Sequence, residues 1–102
     1  MSVDRFRLRP QARRDLEAFF AYGALTWSVQ QALAYQDELL TTVDRLCDFP
    51  ELGRALGFPR SDTRAFAKNL HVIVYHVDAD VVTVVRFMDQ RSDWQNVLAD
   101  QV

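Results

Sequence analysis

The stretch Leu70-His71-Val72-Ile73-Val74-Tyr75-His76-Val77, then Asp78-Ala79-Asp80, then Val81-Val82-Thr83-Val84-Val85-Arg86-Phe87-Met88 decides the fold. Two runs rich in β-branched and aromatic residues flank a short acidic turn, the pattern of a β-hairpin. Both faces of each run are largely apolar, so they read as central strands covered on at least one side. Arg86 is the exception, because a guanidinium inside a strand needs water or an anion beside it. The expectation is an open sheet face at Arg86, and a face carrying Thr83, Val85 and Phe87 packed under helices. A turn of two, three or four residues leaves the cross-strand register open.

Towards the N-terminus, Val3 to Leu8 alternates, with Val3, Arg5 and Arg7 on one side and Phe6 and Leu8 on the other. That is a half-buried strand. Pro10 suits the first turn of a helix, where its missing N–H costs nothing. Ala12, Leu16, Phe19, Phe20 and Gly23 recur at helical spacing, so a first helix is expected over about 10–24. Thr26 or Ser28 caps a second helix, whose stripe is Val29, Ala32, Leu33, Tyr35, Leu39, Leu40, Val43 and Leu46. Pro50 ends it near Asp48. The short connection predicts an antiparallel α-hairpin, with Leu16, Phe19 and Phe20 against Leu33, Leu39 and Val43. Residues Glu51 to Asp62, with Gly53, Gly57 and Pro59, read as a loop. Thr63 to Ala67 is a short strand anchored by Phe66, and Lys68-Asn69 turns it into the long strand. After Met88, residues Gln90 to Val102 form a short helix or tail with Trp94, Val97 and Leu98 on its apolar side. The fold class is therefore α+β, with one antiparallel-rich sheet packed on a helical hairpin. Its other face is expected to be broadly exposed.

The chain has 102 residues, enough for one domain spanning 1–102 and too few for two. No apolar run approaches the length of a membrane span, no signal peptide is visible, and a cytoplasmic location is expected. Cys47 is alone, which excludes an intrachain disulfide, and its apolar helical setting suits a buried, inert thiol. The net charge of −2 hides an uneven distribution, because Arg5, Arg7, Arg9, Arg13 and Arg14 crowd the first fourteen residues. Eleven of the twelve basic residues are arginine, which favours bidentate contacts to carboxylate, phosphate or protein partners.

Little in the chain spells out catalysis. Three glycines occur, none in a phosphate-cradling pattern. His71 and His76 lie five apart in one strand, so they point to opposite faces and do not share a metal. No metal and no cofactor are expected. Asp78 and Asp80 shape a turn. One constellation remains: Arg64, Lys68 and Arg86 converging on the open face, with Tyr75 or His71 nearby.

Several segments together resemble a known family: Leu8-Arg9-Pro10-Gln11-Ala12, Arg14-Asp15-Leu16, Tyr22, Trp27, Gln31-Ala32, Tyr35, Pro50-Glu51-Leu52-Gly53-Arg54, His71-Val72-Ile73-Val74-Tyr75, and Val85-Arg86-Phe87-Met88 followed by Gln90-Arg91 and Asp93. The chain resembles ParE-type toxins of the RelE/ParE superfamily, from bacterial type II toxin–antitoxin systems, over nearly its whole length. That resemblance implies a toxin that blocks replication by inhibiting DNA gyrase and causes growth arrest. It also implies neutralisation by a cognate antitoxin, ParD-like or of another type, in a hetero-oligomer that meets operator DNA only through the antitoxin. The alternative is a RelE-like ribosome-dependent mRNA endonuclease, with Arg64, Lys68, His71, Tyr75 and Arg86 as its candidate catalytic residues. A further alternative is an inactive or non-toxic protein-binding module. The chain departs from the family's pattern at Ser28, at Asn69-Leu70 and at Asp89. An aspartate at position 89, where the family often has histidine, would repel a phosphate, which favours a gyrase-binding inhibitor over an enzyme. Target contacts are expected at Arg64, Lys68, Arg86, Arg91 and Trp94, and antitoxin contacts at Arg5, Arg7, Arg13 and Arg14.

Overall fold

The computed structural model describes residues 5–79 and 81–100. Val3, Asp80 and the last two residues, named above, lie outside them. Strand β1 (Phe6–Leu8) leads into helix α1 (Pro10–Thr26) and helix α2 (Val29–Asp48). A single 3₁₀ turn (Pro50–Leu52) follows, then β2 (Arg54–Ala55), β3 (Thr63–Lys68), β4 (His71–Asp78), β5 (Val81–Asp89) and α3 (Trp94–Ala99). The five strands form one sheet in the order β1-β5-β4-β3-β2. β1 runs parallel to β5, and the other neighbours are antiparallel. The segment read as loop thus contributes a short strand, because Arg54 and Ala55 pair with Ala65 and Arg64.

Local chemistry accounts for the element ends. Pro10 sits in the first turn of α1. The Ser28 hydroxyl accepts from the Gln31 amide at 3.0 Å and caps α2. Gly23 lets the helices close: a Cβ there would meet the Ala32 Cβ at 3.3 Å. Two stripe positions miss the core. Val29 and Leu33 are 56% and 47% exposed, because the α2 stripe drifts off the contact face near its start. The helices meet the sheet through Leu16, Leu39, Val43 and Leu46, packed with Ile73, Tyr75, Val82, Val84 and Phe87, with Phe6, Leu8 and Phe19 against them.

The β4–β5 hairpin closes with Asp78 opposite Val81. A β-bulge interrupts it: Tyr75 pairs with Val84 and Val74 with Arg86, which leaves Val85 without a partner. The bulge flips the alternation, so Val82, Val84 and Phe87 face the helices while Val85 joins the opposite face. The expected helix-facing set of Thr83, Val85 and Phe87 is therefore corrected to Val82, Val84 and Phe87. The second face is not broadly open either. Trp94 and Leu98 of α3 pack onto Ala65, Val72, Val74 and Met88 there. Each large apolar side chain buried this way contributes about 1.5–3 kcal/mol. Among the described residues, no helix is long and apolar enough to cross a membrane.

Candidate functional site

Arg86 is largely withdrawn from solvent. Its Nε and Nη2 donate to the Asp15 carboxylate at 2.8 and 3.1 Å, and the backbone N–H of Phe87 donates to the same group at 3.0 Å. Both side chains are nearly enclosed. The cause is topological. β1 covers β5 only as far as Val84, and beyond it the freed edge of β5 is closed by an α1 carboxylate. The anion that Arg86 requires is thus Asp15, and the open face expected around the guanidinium is corrected to a closed ion pair.

Tyr75 is fully buried, and its hydroxyl is used twice. It donates to the Pro50 carbonyl at 2.6 Å and accepts from the Gly53 N–H at 3.0 Å. Burial holds the phenol above its ordinary pKa. A Cβ on Gly53 would collide with that hydroxyl, which explains glycine in the Pro50–Gly53 turn. Arg64 points into the same junction, with Nη1 donating to the Gly53 carbonyl at 2.6 Å. The turn, β2 and the middle of the sheet are locked as one unit.

His71 opens a different region. Between the α1–α2 corner and the end of the β4–β5 hairpin lies a cleft of about 250 Å³, walled by Phe19, Tyr22, Trp27, Tyr35, Leu70 and His71, with Asp89 and Arg91 at its side. Phe19 stacks tilted on the His71 ring at 3.9 Å between centroids, and the Tyr35 hydroxyl bonds to Nδ1. Burial lowers the His71 pKa and raises that of Tyr35, which disfavours the charged form of each ring. Asp89 is pinned by Arg91, whose N–H and Nε donate to it at 2.8 and 3.3 Å, and these bonds hold its carboxyl below the usual range. Tyr22 and Trp27 are 63% and 52% exposed, so the rim is aromatic and wet.

The sequence-expected residues do not form one constellation. Arg64, Lys68, His71 and Tyr75 share the helix-facing side of β3 and β4 by register, while Arg86 lies across the bulge at the β5 edge. Lys68 borders a shallow groove with Asp37, Glu38 and Asn69. Trp94 is a buried anchor, with the Arg54 guanidinium 5.7 Å from its ring centre. Arg91 keeps an exposed side chain. Of the N-terminal arginines, Arg5 clasps Asp48 at 2.6 Å and Asp44 at 3.2 Å. Arg7 and Arg13 line a groove beside β1 with Phe6, Leu8, Leu16 and Leu40. Arg14 faces the other way, beside Arg9 and His76. Sequence reasoning missed Asp15. Its one local signal is a carboxylate set between Ala12, Leu16 and Phe19 on the apolar stripe of α1.

These features define a class: small α+β proteins in which a helical hairpin and a short C-terminal helix sandwich a five-stranded mixed sheet. Residues 6–94 match the family model described as ParE toxin of type II toxin–antitoxin system, parDE, and the chain belongs to that family. It is 31% identical over 85 residues to Toxin ParE1 of Caulobacter vibrioides, covering 83% of this chain and 88% of that one. It is 33% identical over 90 residues to Toxin ParE1 of Mycobacterium tuberculosis, covering 87% and 92%. A solved structure titled "Chromosomal ParDE TA system from P. aeruginosa" superposes with a TM-score of 0.69 over 85% of this chain and 98% of that one, at 16% identity. That last likeness is one of fold.

Proposed function

We propose that this ParE-family chain arrests growth in the cytoplasm by binding DNA gyrase, and that a cognate ParD-like antitoxin neutralises it. The observation that carries the choice over a ribonuclease is the Tyr75 hydroxyl, buried and spent on Pro50 and Gly53. Arg64 and Arg86 are likewise held by Gly53 and Asp15. A general acid or base must reach the proton it moves, and these groups are tied up inside the fold. The chemistry left at the surface suits protein recognition. The aromatic cleft with Arg91 at its side combines the residue types that anchor protein interfaces. In this reading Arg91, with Lys68 nearby, contacts the target. Arg64, Arg86 and Trp94 act as supports that hold the surface in shape.

The antitoxin fits elsewhere. β1 lies at the sheet edge, and Arg7 and Arg13 border an apolar groove beside it. An extended, acidic antitoxin segment would find backbone partners and two guanidinia there. Charge reversal at Arg7 and Arg13 is expected to weaken the complex and reduce its salt sensitivity. Unchanged affinity at low salt would remove this groove from the interface. The target is tested by adding the purified chain to gyrase supercoiling and, in parallel, to ribosome-dependent mRNA cleavage. Inhibited supercoiling with intact message is the expected result. Cleaved message with unimpaired supercoiling would overturn the reading.

A further inference from the structure

On the α3 side of the sheet, near the start of α1, lies a cleft of about 460 Å³ that none of the contacts above accounts for. It lies within the size range of small-molecule sites. His76 lines it and is 4% exposed, yet neither ring nitrogen has a hydrogen-bond partner among the described residues. An orphaned buried imidazole is costly, and in a concave site it points to a missing partner.

The surroundings say what that partner is. Arg9 and Arg14 border the cleft, and among the described residues neither makes an ion pair. Arg9 is the N-cap of α1 and gives it no side-chain cap, and the first turn holds no acidic residue. A seventeen-residue helix therefore presents uncapped N–H groups and the positive end of its dipole at the same place. Arg60 adds a guanidinium, offset by Asp62 and Asp78, and Arg86 is neutralised by Asp15. Two uncompensated guanidinia remain. The other wall is apolar, with Pro59, Val85 and Leu98.

We propose that this cleft binds a small organic phosphate monoester, its phosphate held by Arg9, Arg14, His76 and the N-terminus of α1, and its organic part against Pro59, Val85 and Leu98. The donors converge from a helix and a strand on one concave site, which suits a compact anion with several acceptor oxygens better than an extended peptide. Burial and the nearby Arg60 hold the His76 pKa below its ordinary value, with Asp62 opposing them, and Arg9 adds to the depression. A bound dianion would reverse that balance and draw a proton onto the ring. The inference stands apart from the choice of target.

The test uses the full chain and adenosine monophosphate, with inorganic phosphate as the minimal probe. The nucleotide is expected to move the His76 ring resonances saturably, and inorganic phosphate to compete more weakly. Arg9→Ala and Arg14→Ala, both at exposed positions, should each weaken binding about tenfold, the usual size of one charge-assisted contact. Arg45→Ala, at an exposed position of α2 outside the cleft, should bind as the parent does. Still His76 signals at saturating nucleotide would overturn the proposal, as would full affinity in the Arg9/Arg14 double variant. So would an acidic peptide or a single-stranded oligonucleotide that binds the cleft while the mononucleotide does not.

Discussion

Arg86 and Arg5 each reach back to carboxylates of the helical hairpin, across 71 residues in one case and 39 and 43 in the other. On paper the two clusters look alike: short, bidentate, charge-assisted. Their settings differ. The Arg86 and Asp15 side chains are 13% and 10% exposed, whereas those of Arg5, Asp44 and Asp48 lie at 45%, 56% and 53%. Water already solvates the Arg5 cluster when it breaks, so little is lost. The Arg86 pair has no such reserve, because either partner left alone is a buried charge. Asp15 also serves the Phe87 N–H, so it holds a strand edge as well as an ion.

The comparison breaks most visibly at Asp15. Asp15→Ala should cost about 3–5 kcal/mol in chemical denaturation, by stranding the Arg86 charge and the Phe87 amide. Pairing Asp15→Asn with Arg86→Met should recover most of the loss, since it removes the charge and keeps an acceptor for Phe87. A single Asp15→Ala variant as stable as the parent would show that water enters the site.

A neutral network offers a middle case. Tyr75→Phe strands the Gly53 N–H and the Pro50 carbonyl, and should cost about 1–3 kcal/mol. Gly53→Ala should cost a similar amount by forcing the buried ring aside, roughly 1–3 kcal/mol. If both variants melted like the parent, the turn would be looser than its geometry indicates.

The two buried histidines sharpen the comparison through pH. Both His71 and His76 lie below their ordinary value of 6.5, chiefly because burial disfavours the charged ring. The unfolded chain then binds more protons than the folded one just below that pH, so stability rises with pH there. The stability present above about pH 6.5 should be lost on acidification through that window, until the folded rings themselves protonate. Calorimetric unfolding near pH 6 in buffers of different ionisation enthalpy should reveal proton uptake. Proton release instead would place a partner anion beside one ring.

Arg5→Ala marks the small end. The melting temperature should scarcely move at physiological salt, with a slight loss at low salt. A large loss would mean that the β1–α2 junction depends on this clasp.

Much of this fold was legible in local pattern. The β4–β5 hairpin, the two helices, the Ser28 cap and the short third strand all follow from neighbours a few residues apart. The site was far less legible, and Arg86 shows why. A guanidinium amid apolar strand residues signals that an anion is close, but the signal does not say which. Asp89 and Asp93 were near in sequence, while Asp15 is near only once α1 crosses the β5 edge. The expected convergence of Arg64, Lys68 and Arg86 failed for a related reason. Strand alternation assigns faces by parity, and one bulged residue at Val85 reverses parity for everything beyond it.

Periodicity, turn chemistry and capping act over one to four residues, so the amino-acid sequence by itself determined the order of the helices and of every strand but β2, most of the core stripe and the family. Register, the bulge, the parallel pairing of β1 with β5, and the burial of Tyr75 and Asp15 are contacts between distant segments. Their energies depend on which surfaces meet and how much water is left between them, and only the tertiary structure decided that.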